Sequence, residues 1–349
     1  MSNTKTRRSR RLDLAHGRVD MSHGAGGRAM SQLIEELFWD AFDNTELSRG
    51  HDAALIGRPS GRLVMSTDSF VVSPLFFPGG DIGTLAICGT VNDLAMGGAV
   101  PRFLTAGFIL EEGFALSDLA RVVTSMADTA REAGVAIVAG DTKVVEKGHG
   151  DGIYINTAGV GELADGIDIS GDRARPGDVV LVNGPIGDHG VAIMSKRENL
   201  SFGSEIESDC QPLGDLVSAM LDAVPDIRVL RDPTRGGLGT TLNEIAQQSG
   251  VGIELNEAAV PVRREVKSAC ELLGLDPLYV ANEGKLVAIC PSGRADDLLA
   301  SMQAHAKGRE AAVIGRVLKD DRRFVRMVTG LGGTRMVDWI AGEQLPRIC

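Results

Sequence analysis

Strand-length apolar runs alternate with helix-length stretches along almost the whole chain, and one Asp- and Gly-rich break divides the series. This alternation restricts the fold more than any other feature. Strands and helices that follow one another in turn bury their apolar faces as α/β layers. Before the break, Leu63-Val64-Met65 and Phe70-Val71-Val72 read as two strand pieces around polar Ser66-Thr67-Asp68-Ser69. Asp81 is placed to cap a helix over 82–96, and a strand follows over 103–110. Ser117 caps a further helix that Gly134 ends. A strand over 135–139 stops at Gly140-Asp141-Thr142, and another spans 153–163.

The break, residues 164–178, holds four Asp, three Gly and one Pro, and reads as a linker. After it come a strand over 179–182 and helices near 189–197, 213–223 and 240–249. A strand over 251–255, a helix over 263–273 and a strand over 285–290 follow. The series closes with a helix over 294–306 and strands near 313–317 and 324–327. A length of 349 residues suits two such domains. The expected organisation is a flexible basic segment (1–22), a first α/β domain (23–165), a second (166–338) and a tail (339–349) ending in Cys349. Lys5, Arg7, Arg8, Arg10 and Arg11 make the start basic, but it lacks the apolar core or amphipathic pattern of a targeting peptide.

Composition removes several classes of function. With 36 basic against 47 acidic residues the net charge is −11, which argues against nucleic acid as a partner. No apolar run reaches the roughly 18 residues of a membrane span. Five cysteines without a CxxC pair exclude a disulfide scaffold and a zinc site of familiar spacing. A cytoplasmic enzyme is the expectation.

Several features carry chemistry. His23-Gly24-Ala25-Gly26-Gly27-Arg28 precedes an amphipathic helix and reads either as a phosphate wrap or as a flexible joint. Asp52, Asp68, Asp93 and Asp141 sit at or near the ends of apolar segments. Each is a cap or turn residue, or together they bind a hard cation such as Mg²⁺. Asp93 differs: with Asn92 it interrupts an apolar helix, where a carboxylate is costly without a partner. Lys143 follows Asp141 closely and is a solvated residue or a phosphate contact; Glu283 belongs to a hairpin turn or to a site. Arg231-Asp232-Pro233-Thr234-Arg235-Gly236-Gly237 reads equally as an anion site and as a structural turn. His189 reads as a local hydrogen-bonding residue rather than a general base. Cys88, Cys270 and Cys290 read as packing residues, and the acidic loop around Cys210 raises its thiol pKa. Cys349 stands apart as a thiol on a free end, and the seven residues after Gly342 can span up to roughly 25 Å.

These motifs resemble the HypE family, the carbamoyl dehydratases of nickel–iron hydrogenase maturation. The resemblance runs from about Gly24 to Cys349, and its most specific motif is Pro346-Arg347-Ile348-Cys349. Pro74-Leu75-Phe76-Phe77-Pro78-Gly79-Gly80, Ala86-Ile87-Cys88-Gly89-Thr90-Val91-Asn92-Asp93 and Gly140-Asp141-Thr142-Lys143-Val144-Val145 support it, as do Ser66-Thr67-Asp68-Ser69 and Asp232-Pro233-Thr234-Arg235-Gly236-Gly237. The wider superfamily of aminoimidazole ribonucleotide synthetase, selenophosphate synthetase and thiamine-phosphate kinase shares the Asp-rich motifs but not the C-terminal one. The resemblance implies an α/β (α+β) two-domain fold with mixed sheets covered by helices and a flexible C-terminal tail. It implies ATP and Mg²⁺, with Asp52, Asp68 and Asp93 at the metal. Gly24, Gly26, Gly27, Thr67, Asn92, Asp141 and Thr142 would hold nucleotide. Lys143 and Glu283 would assist proton removal, and Cys349 would carry the carbamoyl group. The implied partners are a second copy of the chain, the carbamoyltransferase HypF as donor and HypC–HypD as cyanide acceptor. One departure is His51-Asp52 where many superfamily members carry paired acids, which leaves one ligand fewer.

Overall fold

A computed structural model describes residues 11–51, 53–200, 206–340 and 347–348. Asp52, Cys349 and the basic residues before Arg11 lie outside the described residues. The first domain is built on a four-stranded sheet in the order Arg62–Phe70, Ile153–Leu163, Val100–Glu111, Ala136–Val145. The last pair is parallel and the other two are antiparallel. Helices Ile82–Met96 and Leu116–Glu132 belong to the core on one face. The opposite face leaves Leu63, Met65, Val100 and Ile109 exposed.

Three local expectations are corrected. The piece over 63–65, the polar Ser66–Ser69 and Phe70 are one continuous strand, because the polar residues alternate between the sheet faces; Val71 lies beyond its end and Val72 forms an isolated bridge to Ile348. The strand expected to stop at Gly140 runs on to Val145. Gly140 is there for closeness: a Cβ would stand 2.6 Å from the Ala106 carbonyl oxygen. Helix Leu116–Glu132 starts at Ala115 without a side-chain cap, so Ser117 lies inside it.

The second domain carries a seven-stranded sheet. Its order is Thr334–Met336, Val325–Val328, Gly252–Asn256, Ala312–Leu318, Val179–Val182, Val287–Cys290, Val229–Arg231. It is antiparallel except where Val325–Val328 runs parallel to Gly252–Asn256. Helices Asp188–Arg197, Gly214–Ala223, Gly237–Ser249, Arg264–Leu273 and Ala295–Ala304 complete it. The residues between 164 and 178 contain no helix or strand, as their composition predicts. Strands Val229–Arg231 and Thr334–Met336 were not anticipated; three residues give no usable periodicity.

Helix Ile82–Met96 packs into the cores of both domains. Asp81 caps it through Gly83 N–H at 2.7 Å and Thr84 N–H at 3.1 Å. Every residue in it is buried except Thr84 and Asp93. Ala95 and Met96 share a core with Leu213, Leu216 and Met220 of the second domain. Gly89 lets the Phe70 ring approach, since a Cβ there would stand 2.7 Å from Cε1. Gly89→Ala gains about 1 kcal/mol of helix propensity but overpacks a buried ring, at about 1–3 kcal/mol. The expected outcome in urea titration is a net loss of about 1 kcal/mol, with the strand bearing Asp68 displaced.

Candidate active site

The two domains enclose a cavity of about 460 Å³. Thr67, Asp68, Gly89 and Asp93 line it from the first domain, and Arg231, Asp232, Thr234, Arg235 and Glu283 from the second. Asp93 Oδ2 accepts from Ser66 Oγ at 2.7 Å, and Asp68 Oδ1 accepts from Ser69 N–H at 2.8 Å. Burial raises the Asp93 carboxyl above its ordinary range against the Ser66 hydrogen bond, and the charge of Asp68 adds to the rise. Burial and the charge of Asp93 push Asp232 up to about 7. Asp232 was part of the Arg/Gly motif but was not singled out; its place beside Asp93 arises only on folding.

Crowded carboxylates with few donors fit a hard divalent cation. Among the described residues no three His, Cys, Asp or Glu side chains form a metal cage by themselves. Mg²⁺ takes one or two carboxylates and completes its shell with water and phosphate oxygens. Asp68 and Asp93 are the residues here that would hold it.

Glu283 is not in a hairpin. It lies 4% exposed in a pinned loop of the second domain, just before strand Val287–Cys290. Its N–H donates to Asp209 Oδ1 at 3.1 Å, and Lys285 Nζ is 3.2 Å from Asp209 Oδ2. Asn282 Nδ2 donates to Pro233 O at 2.8 Å. Gly284 makes this possible, because a Cβ would meet the Asp209 carbonyl oxygen at 1.8 Å.

Asn92, expected at the nucleotide, has its amide engaged within the protein. Its Nδ2 donates to Gln211 O at 3.1 Å and Glu283 O at 3.3 Å, and its Oδ1 accepts from Leu213 N–H at 2.8 Å. The amide ties the helix to the second domain and holds Glu283, with no N–H left for a ligand. Thr67 lines the cavity, but its hydroxyl donates to Thr157 O at 3.1 Å.

Asp141, Thr142 and Lys143 form a second group. Lys143 Nζ is 2.7 Å from Asp141 Oδ1, and this contact holds the Asp141 carboxyl below its ordinary value. Ser69, Asn156, Gly107 and Asp141 share one row across the exposed sheet face. Asp141 thus stands three strand spacings, about 14 Å, from the edge that carries Asp68. A shallow groove of about 280 Å³ joins the two groups along Ser69, Phe70 and Asn156. Gly24 packs against Val144 of the same strand; a Cβ there would meet its nitrogen at 2.8 Å. Gly26 and Gly27 stand open, and Gly27 begins helix Arg28–Leu33. Within one chain the glycine run therefore accompanies Asp141, not Asp68.

The chain end is docked rather than loose where it is described. Ile348 is 3% exposed and pairs with Val72. His189 Nε2 lies 2.7 Å from the Ile348 carbonyl oxygen. Cys210 has a raised thiol pKa as expected, but the first cause is its contact with Cys88 and the second is burial.

Comparison with known proteins decides the family. The model for the AIR synthase related protein N-terminal domain matches residues 50–163, and that for the C-terminal domain matches 175–328. The carbamoyl dehydratase HypE of Azotobacter vinelandii is 65% identical over 97% of this chain and 99% of its own. The chain belongs to the HypE family of carbamoyl dehydratases. A HypE crystal structure in complex with ATP has a TM-score of 0.91 at 52% identity, covering 94% of this chain and 99% of that one. The HypE chain of a HypE–HypF complex has a TM-score of 0.78 at 52% identity, covering 88% and 99%. The HypE-family fold here thus matches the two-domain expectation.

One neighbouring carboxyl, Asp188, is held well above its ordinary range. Burial, then the charge of Asp209, pushes Asp188 up to about 6 from an ordinary 3.8, although Arg263 Nε donates to it at 3.2 Å. The folded chain keeps this proton where the unfolded chain has lost it, so stability falls as pH rises through that window. The loss is roughly 3 kcal/mol by pH 6.5. Asp188→Asn is expected to flatten this slope, read from denaturation midpoints between pH 4 and 7.

Proposed function

We propose that this chain dehydrates an S-carbamoyl group on Cys349 to a thiocyanate at the expense of ATP, supplying cyanide for the iron of a nickel–iron hydrogenase. The observation that carries the reading is the seating of Arg347–Ile348 on the domains that enclose the Asp68, Asp93 and Glu283 cavity. The carbamoyl oxygen is a poor leaving group. Attack of that oxygen on the γ-phosphorus of ATP releases ADP, and the C–O bond then breaks with phosphate departing. The nitrogen gives up two protons, leaving S–C≡N. Mg²⁺ bound to Asp68, Asp93 and Asp52 would neutralise charge on the polyphosphate. Glu283 accepts a proton, and its burial keeps water from the phosphorylated group. Lys143 stabilises charge on the departing oxygen.

The separation of Lys143 from Asp68 within one chain favours a homodimer. Leu63 and Met65, at 55% and 73% exposure, lie on the sheet face that also presents Asp141 and Lys143. Pairing two such faces would bring one copy's Lys143, and its glycine run, toward the other copy's carboxylates. HypF would load the thiol, as the HypE–HypF complex of a relative supports. HypC–HypD would take the cyanide in the cytoplasm.

Two measurements test this. The carbamoylated chain is treated with Mg-ATP, and the fragment 344–349 is weighed. Loss of one water is expected only with ATP, and Cys349→Ala is expected to abolish the adduct while ATP still binds; a carbamoyl group that persists sinks the reading. Met65→Glu is expected to halve the mass seen by light scattering and to slow dehydration at least tenfold. A fully active single copy would remove Lys143 from the mechanism proposed here.

A further inference from the structure

The seat of the chain end is built from both domains. The Arg347 carbonyl accepts from Ser73 N–H at 3.1 Å and from Arg197 Nη2 at 2.8 Å. Arg197 also donates to Ser73 O, at 2.6 Å, so one guanidinium spans the two strands of chain. Arg347 pairs with Asp151 and has φ of 55°, the left-handed region that a non-glycine residue adopts only when held there. Ile348 enters the first domain's core, which includes Phe70, Val72, Ile193 and Ala281. Ala281 stands two residues before Glu283, and Phe70 two after Asp68.

His189 closes this seat. It is wholly buried, at the start of helix Asp188–Arg197, with Phe77 edge-on at 5.6 Å between ring centroids. Its Nε2 faces the Ile348 carbonyl at 2.7 Å and its Nδ1 faces Ser208 Oγ at 2.8 Å. A carbonyl only accepts, so Nε2 carries the hydrogen, and Nδ1 accepts from the Ser208 hydroxyl. Ser208 is fixed in turn by its own N–H, which donates to Pro78 O at 2.8 Å. The ring is thus oriented from behind, and its single donor points at the last backbone carbonyl before Cys349.

We propose that His189 is a positioning residue: a latch that holds the C-terminal backbone in register so that the thiol after Ile348 meets the ATP-dependent chemistry. The proposal rests on the function argued above. The latch grips main chain, with one apolar side chain as anchor, so it does not depend on the load the sulfur carries. When the tail departs, a buried N–H loses its acceptor, which favours return of the tail.

The test uses the full-length chain with His189→Leu, His189→Gln and Ile348→Ala. The last alters only the tail, so it remains informative if His189→Leu fails to fold. The first readout is the rate at which a maleimide labels residue 349, followed by mass spectrometry of the fragment 344–349. The second is the ATP-dependent loss of water, with kcat and the KM for ATP determined separately. His189→Leu and Ile348→Ala are expected to label at least tenfold faster and to lose at least tenfold in kcat, with KM for ATP unchanged. His189→Gln, which keeps an amide donor, is expected to recover much of both. Folded variants that label at the parent's rate overturn the latch, as does a kcat loss that glutamine does not repair. Labelling needs no dehydration, so a parent that never loses water would sink the dehydratase reading while labelling alone still judges the latch.

Discussion

Burial of one helix on every side organises this molecule. Ile82–Met96 has no solvent face, so it needs a sheet beneath it and a second domain above it. Asn92 converts that burial into a fixed relation. Its amide bonds the backbone of Gln211, Leu213 and Glu283, and an unpaired amide at 2% exposure would be expensive. Asp93, one residue on, turns to the open edge where Asp68 lies. Thus the residue that ties the domains together and the carboxylate facing the cavity are neighbours in sequence, about 100° apart around the helix.

Much of this was legible from residue pattern. The helix and its Asp81 cap, the strand over 153–163 and the break at 164–178 show in sequence because each has an unambiguous local cause. The failures have local causes too. Ser66–Ser69 reads as a polar break between two strand pieces because four polar residues hide a two-residue period whose other face is open to solvent. Gly140-Asp141 looked like a strand end, yet the glycine serves close packing of strands. Ser117 looked like a cap, but Leu116–Glu132 begins without one. In the site, Asp93 stood out because an acid within an apolar helix demands an explanation. Asp232 and the whole tail seat did not stand out, because their partners lie far away in sequence: His189 meets Ile348 across 159 residues.

The division of the expected site into two groups follows from sheet geometry. A flat row of four strands places its outer members about 14 Å apart, beyond the reach of any single cation or phosphate. Lys143 and Asp141 neutralise each other where they stand, on a face with exposed methionine and leucine. A charged pair beside uncovered apolar surface suits a surface that is completed by association better than one left to water.

In the proposed reaction, the seat of the chain end would let a thiol on a tail serve as both acceptor and carrier. A rigid active-site cysteine would react well but deliver nothing; a loose one would deliver but rarely align. Two main-chain carbonyls and one isoleucine, gripped by Ser73, Arg197 and His189, give alignment without covalent commitment. The contacts of Ser73 and Arg197 are modest in net free energy because water replaces them on release, whereas the buried His189 N–H loses its acceptor. The number of contacts sets how long the end stays, and their spread over both domains ties the seat to the docked arrangement of the two.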